Sequence, residues 1–127
     1  MNIYDDIAIT HRRELHRRAE TGFNLSETIK YITDVLMRFG YLPRIIGKSS
    51  IIAVKRGECD EFILLRADMD ALPIAEKTNL PFKSINGCMH ACGHDMHAAM
   101  LLTAAETLAN VKTKKGIINI LYNIQTL

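Results

Sequence analysis

Residues 62–70 read FILLRADMD, an apolar run that leads directly into two carboxylates. The run over 62–65 shows no polar alternation, which is typical of a strand covered on both faces in an α/β sheet. Functional groups in such sheets gather where the strands end. Asp68 and Asp70 are two residues apart, so in extended backbone they face the same side. The segment therefore predicts an α/β fold with a site at this strand end, although two solvated turn residues are the alternative.

The segments around this strand predict one layered domain. Ser26 is interpreted as the N-cap of a helix that ends near Gly40, because apolar residues recur between them at helical spacing. Residues 51–54 are predicted to form a strand beside residues 62–65. The other predicted elements are a looser helix over 3–18, a loop over 66–94, a helix over about 95–108 and a strand over 117–122. This order favours a single α/β domain over residues 1–127.

Composition excludes several classes of protein. Of 127 residues, 48% are hydrophobic and 24% charged, as in ordinary soluble globular proteins. The net charge of +2 is too weak to indicate nucleic-acid binding, and no apolar run approaches the length of a membrane span. The N-terminus does not read as a signal peptide. Three cysteines without a secretion signal predict free or metal-bound thiols, and a cytoplasmic location is expected.

The densest chemical feature is residues 88–97, which read CMHACGHDMH. These residues supply two thiols, three imidazoles and one carboxylate, which are ligand types of zinc and related divalent ions. Cys92 and His94 flank a glycine that lets the chain bend so that both face one site. Asp95 lies where the next helix is predicted to begin, and suits the helix N-terminus or support of a ligand histidine. Cys88 and His90 are expected to be bystanders, because one zinc takes about four ligands.

Four segments carry a resemblance to a known family. They are HRRELHRRAETGF (11–23), RADMDALPI (66–74), LPF (80–82) and GCMHACGHDMHAAMLLTAA (87–105). Together they resemble the N-acyl-amino-acid amidohydrolases, which include hippurate hydrolase, related aminoacylases and auxin-conjugate hydrolases. The likeness extends from about residue 11 to about residue 122.

The resemblance implies a layered α/β/α zinc-peptidase-like catalytic domain that binds two divalent ions, often manganese, zinc or nickel. Cys92 and His94 stand at positions that are metal ligands in this branch. Asp68 replaces a ligand histidine of related metallopeptidases, and Asp70 corresponds to their catalytic aspartate, which orients the site. Asp95 and His97 complete the motif in supporting roles. The implied reaction is hydrolysis of a small-molecule N-acyl-amino acid to a carboxylate and a free amino acid, with a glutamate as base.

The sequence departs from the family in its C-terminal part. The family places a glutamate pair after the final strand, but no acidic residue occurs after Glu106 and no histidine after His97. The remaining ligands and the inserted lid or dimerisation domain have no candidates. The chain is therefore expected to be an N-terminal portion, a truncated form with little or no activity alone. Exposed apolar surface is expected to favour self-association into homo-oligomers.

Two other functions compete with this interpretation. A small non-catalytic metal-binding module would close one site with Cys88, His90, Cys92 and His94, although their tight spacing opposes tetrahedral closure. Nucleic-acid binding would use the basic residues of 11–18, but a solvated helix face explains that segment better, since no nucleic-acid motif accompanies it.

Overall fold

The computed structural model describes residues 2–123, which form three helices and a four-stranded sheet. The elements are α1 (Ile3–Arg17), α2 (Ser26–Arg38), β1 (Arg44–Ile46), β2 (Ser50–Lys55), β3 (Phe62–Asp68), α3 (His94–Ala109) and β4 (Gly116–Tyr122). The α/β class predicted from the sequence is confirmed. The family's glutamate pair would follow β4, and residues 124–127 at that place lie outside the described residues.

The sheet has the order β1-β2-β4-β3, so the last strand of the described chain lies inside the sheet. β4 runs parallel to β3 and antiparallel to β2. The prediction that residues 51–54 and 62–65 form neighbouring strands is therefore wrong. The connection between β3 and β4 carries α3, as a parallel strand pair requires a long crossover, and the returning strand inserts between β2 and β3.

The helices pack against one face of the sheet. A single buried core joins α2 and α3 to the inner side chains of the strands, with Leu36, Ile51, Leu102 and Leu121 fully buried. β3 was predicted to be covered on both faces, but within residues 2–123 Ile63 is 50% exposed and Leu64 is 57% exposed. Leu64 lies on the face opposite to the core residue Ala67, which none of the described helices covers, and Ile63 lies on the core face near the start of this strand, at the edge of the described sheet.

The start of α2 is stabilised differently from the prediction. Ser26 is the first helical residue, not the N-cap, and the cap residue Leu25 has no side-chain hydrogen bond. The carboxylate of Glu20 instead accepts from the backbone N–H groups of Glu27 (3.2 Å) and Thr28 (2.7 Å). A carboxylate suits this position because helix N-termini carry partial positive charge. At the other end Gly40 has φ +93°, which confirms its predicted role in ending the helix.

None of the helices in residues 2–123 is long and apolar enough to cross a membrane.

His11 makes the packing of α1 on α2 sensitive to pH. Its Nδ1 lies 2.8 Å from the Tyr31 hydroxyl, and burial, assisted by the positive charge of Arg38, lowers the pKa of this buried imidazole. The unfolded chain therefore takes up this proton at a higher pH than the folded chain. Its contribution to stability is complete above about pH 6.5 and is lost as the pH falls below that value.

We expect the free energy of unfolding to fall between pH 7.5 and pH 5, with His11 adding a slope of up to about 1.4 kcal/mol per pH unit. Urea unfolding at several pH values measures this slope. The variant His11→Asn keeps an amide near Nδ1 but does not titrate, so its slope should be smaller. Equal slopes for the two proteins would contradict the assignment.

Candidate metal centre

The candidate centre forms where β3 ends and α3 begins. Asp68 is the last residue of β3, and Asp70 follows two residues later. Gly93 precedes α3 with φ +90°, a conformation that glycine adopts at little cost and that turns the loop into the helix. His94 is the first residue of α3. The structure therefore brings together Asp68, Asp70 and His94.

The ring of His94 is held by Asp70. Its Nδ1 lies 2.9 Å from the Asp70 backbone oxygen and 3.1 Å from Asp70 Oδ1, so an Nδ1–H donates to this residue. The neutral ring then carries its lone pair on Nε2, which lies 3.8 Å from Asp68 Oδ2. Metal-binding histidines use the same arrangement, in which a partner on one nitrogen fixes the tautomer and leaves the other free to bind.

His97 joins the same group from one turn further along α3. Its Nδ1 lies 3.4 Å from Asp68 Oδ2 and accepts a hydrogen bond of 3.3 Å from the Asp68 backbone N–H. Asp68 is therefore in reach of two imidazoles.

The donor types fit a divalent ion, but the described ligands form only part of a shell. Cys92 carries an exposed free thiol one residue before Gly93. Within residues 2–123 no three His, Cys, Asp or Glu side chains are grouped so that they could hold a metal ion. Thiolate, imidazole and carboxylate are all ligands of zinc and related ions. Cys92 and His94 thus supply donors of the right chemistry without closing a site.

Asp95 points away from this group, towards α1. Its carboxylate is fully buried and accepts from Arg12 Nε at 2.8 Å, and the same oxygen lies 2.7 Å from His16 Nδ1. The other ring nitrogen of His16, Nε2, lies 2.9 Å from Glu76 Oε1. Sequence reasoning missed the roles of Arg12, His16 and Glu76. Arg12 and His16 are four residues apart on one helix face, which is the only local signal that they act together.

Glu76 fixes the loop between β3 and α3. Its carboxylate accepts from the hydroxyl of Thr78 and from the backbone N–H of Ser84, besides its contact with His16. Burial alone would raise the pKa of this carboxyl, but these hydrogen bonds and the nearby His16 lower it to about 2. Glu76 is therefore an anion at neutral pH.

His90 lies in the motif but away from the candidate centre. Its side chain is buried, and among the described residues neither ring nitrogen has a hydrogen-bond partner. Burial, only partly opposed by the charge of Asp95, lowers the pKa of His90 to about 4. His90 is buried, Cys92 is exposed and His94 is turned to Asp70. The four side chains of the alternative metal-binding module, which also includes Cys88, therefore do not converge.

The basic segment of α1 is engaged within the chain. Arg17 and Arg18 lie 3.7 Å and 2.6 Å from the carboxylate of Glu14. Arg12 binds Asp95, and the guanidinium of Arg13 lies 5.1 Å from the centre of the Phe82 ring. These contacts do not favour the alternative of a phosphate-binding face.

Comparison with known proteins places this fold and these site residues beside a family of peptidases and amidohydrolases. Residues 64–124 match the family described as Peptidase family M20/M25/M40. The hippurate hydrolase of Campylobacter jejuni is 48% identical over 102 residues, covering 78% of this chain and 27% of that protein. The N-acyl-L-amino acid amidohydrolase of Geobacillus stearothermophilus is 40% identical over 107 residues, covering 82% of this chain and 29% of that protein.

Solved structures give the same result. A Bacillus subtilis protein described as a dinuclear metal binding peptidase from the M20 family superposes with a TM-score of 0.87 at 37% identity, covering 95% of this chain and 35% of that protein. The resemblance seen in the sequence is confirmed, since residues 64–124 match the description of peptidase family M20/M25/M40 and the superposed structure is described as a member of the M20 family. The chain spans about a third or less of the length of these relatives.

Proposed function

We propose that residues 1–127 form part of a metallopeptidase-like catalytic domain in which Cys92 and His94 bind a divalent ion. The observation that carries this proposal is the His94 ring, whose Nδ1 contacts Asp70 while Nε2 remains directed towards Asp68. A histidine held in this way has its Nε2 available to donate a lone pair to a metal ion. Manganese, zinc and nickel all accept this donor set.

Asp70 orients His94, and Asp68 and His97 support the site. Asp70 fixes the tautomer through a carboxylate and a backbone oxygen, so that the ring neither rotates nor presents its Nδ1. Asp68 adds a negative charge 3.8 Å from Nε2, which favours a cation at this place. A divalent ion held there would act as a Lewis acid towards the carbonyl of the scissile amide.

The proposed substrate class is N-acyl-amino acids, which are cleaved to a carboxylate and a free amino acid. This proposal takes support from the names of two relatives, a hippurate hydrolase and an N-acyl-L-amino acid amidohydrolase. The 127-residue chain by itself is proposed to have little or no activity. No acidic residue follows Glu106 in the sequence, so the glutamate base that the family uses has no candidate in that part.

A reducing compartment suits this chemistry. All three cysteines are free, and Cys92 is exposed, so an oxidising environment would convert the proposed ligand thiol to other forms. We therefore propose a cytoplasmic location.

We expect the chain to bind Co²⁺ with an absorption band from a thiolate–cobalt bond. Cys92→Ser should abolish the band, and Asp70→Asn should weaken binding by about 10-fold or more, because it disturbs the partner of a ligand histidine. Cys88→Ser is the matched control, a thiol four residues away that should leave the band unchanged. A band that survives Cys92→Ser would exclude Cys92 as a ligand.

A separate measurement tests the proposal that the 127-residue chain by itself has little or no activity. Hippurate or N-acetyl-amino acids incubated with the chain and added Mn²⁺ should not be hydrolysed. Metal-dependent turnover that disappears in Cys92→Ser would show that the 127 residues suffice for catalysis.

A further inference from the structure

His16 connects three separate parts of the chain. It lies near the end of α1 and is 1% exposed. Its Nδ1 is 2.7 Å from Asp95 in the first turn of α3, and its Nε2 is 2.9 Å from Glu76 in the loop before α3. Both ring nitrogens face carboxylate oxygens, so a ring that donates from both matches both contacts. Together with Arg12, which also contacts Asp95, these residues form a group of two basic side chains (Arg12 and His16) and two acidic ones (Asp95 and Glu76).

The geometry of α3 links this group to the candidate centre. Consecutive residues of an α-helix are turned by about 100°, so His94 and Asp95 point in different directions. His97 lies three residues after His94 and shares its side of the helix. Arg12 and His16 hold Asp95 from the α1 side, while His94 and His97 reach Asp70 and Asp68 at the strand end.

Fixing Asp95 therefore fixes the rotation of the first helical turn. Gly93 precedes this turn with φ +90°, and its carbonyl oxygen accepts from the backbone N–H groups of Met96 and His97 at 3.1 Å each, so the turn moves together with the start of α3. A rotation of that turn would carry His94 and His97 away from Asp70 and Asp68. The contacts of Arg12 and His16 with Asp95 oppose this rotation.

We propose that His16 is a positioning residue for the candidate metal centre, acting through Asp95 to direct His94 and His97. This inference rests on the proposed function. His16 acts through another residue and is not catalytic, because within residues 2–123 its ring nitrogens contact Asp95 and Glu76 and not the proposed ligands.

The two contacts of His16 can be separated by substitution. His16→Asn places an amide close to the position of Nδ1, so it keeps a donor to Asp95 and loses Glu76. His16→Gln reaches the position of Nε2, so it keeps a donor to Glu76 and loses Asp95. Positioning through Asp95 requires the Gln variant to disturb the centre and the Asn variant to preserve it.

The first test uses the metal-free chain and the NMR signals of the imidazole rings. In His16→Gln the ring signals of His94 and His97 should shift, and in His16→Asn they should stay near their positions in the unmodified chain. His11, which lies on α1 but contacts Tyr31, is the internal control and should not shift. Thermal unfolding of both variants shows whether a shift merely follows lost stability. Unchanged His94 signals in the Gln variant, or equal shifts in both variants, overturn the proposal.

The second test is Co²⁺ titration. We expect His16→Gln to weaken binding by about 10-fold or more, and His16→Asn to weaken it less. If the unmodified chain and both variants bind Co²⁺ with the same affinity, the proposed positioning role of His16 is contradicted while the proposed function stands. If the unmodified chain binds no Co²⁺ but the NMR pattern holds, the proposed function fails and the positioning of His94 and His97 stands. Should His16→Gln not fold, Asp95→Asn replaces it, and unshifted His94 and His97 signals there overturn the proposal.

Discussion

Replacing Asp95 with alanine should lower the free energy of unfolding by about 3 kcal/mol, because removal of one partner from a buried ion pair leaves the other charge uncompensated. The carboxylate is fully buried and is the acceptor for Arg12 and for His16 Nδ1. Without it, His16 keeps only Glu76 as a partner. The expected loss is at the lower end of the usual range because the Arg12 side chain is 29% exposed and gains water when its partner is removed.

Asp34→Ala is the matched control for this substitution. Asp34 also sits in a helix and accepts from a basic side chain at a similar distance, 3.0 Å from Lys30 Nζ, but both side chains are mostly exposed. Its loss should cost less than about 0.5 kcal/mol. Urea unfolding monitored by circular dichroism measures both. Similar losses for the two variants would mean that burial of Asp95 contributes nothing to the strength of its contacts.

Gly57→Ala should lower the free energy of unfolding by about 2 to 3 kcal/mol, because a methyl group at this place overlaps backbone that cannot move aside alone. A Cβ on Gly57 would lie 2.3 Å from the Lys115 carbonyl carbon and 2.6 Å from the Gly116 nitrogen. The neighbouring backbone pairs Glu58 with Thr113 and Cys59 with Lys114 at 3.0 Å and 2.9 Å. Displacing this contact shifts the start of β4 at the middle of the sheet.

Gly47→Ala separates steric overlap from the general cost of replacing glycine. A Cβ on Gly47 meets no atom of residues 2–123 within 4 Å, but its φ of +61° is unfavourable for alanine, at a cost of about 1 kcal/mol. The midpoint of urea unfolding should therefore fall less for Gly47→Ala than for Gly57→Ala. The reverse order would show that the turn at Gly57 adapts to a side chain.

The sequence pattern indicates which side chains of the candidate centre lie near one another, because its members are close in the chain or at a strand end. Asp68 and Asp70 follow an apolar run, and His94 and His97 share a helix face, so spacing alone places each pair on one side. That these pairs meet follows from the packing of α3 on β3.

The contacts of Asp95 with Arg12 and His16 could not be predicted from spacing along the chain. His16 and Asp95 are separated by 79 residues, and His16 and Glu76 by 60. Within α1 the basic residues look like a solvated face, and only tertiary contact distinguishes the buried His16 from the exposed Arg17. The N-cap prediction for α2 was wrong for a related reason. The carboxylate that accepts from the first N–H groups of the helix belongs to Glu20, which lies before the helix in the chain.

Strand order was the largest error about the fold. The apolar runs of β2 and β3 do not indicate which strand lies between them, because any two apolar runs look equally suited to pair with each other. β4 alone pairs with both, through Ile118 to Val54 and to Leu64. The short exposed strand β1 was also missed, because its three residues are too few to show a period.

The position of β4 also constrains how the chain can fold during synthesis. Among the described strands, β2 and β3 have no ladder to each other, so until the residues of β4 leave the ribosome, the β1–β2 hairpin can form but β3 lacks the partner that it has in the folded sheet. Closure of the sheet then joins residues more than 50 positions apart in one step, a non-local event that is slow compared with helix formation. During that interval the backbone of the nascent strand β3 is unpaired, which exposes it to non-native association.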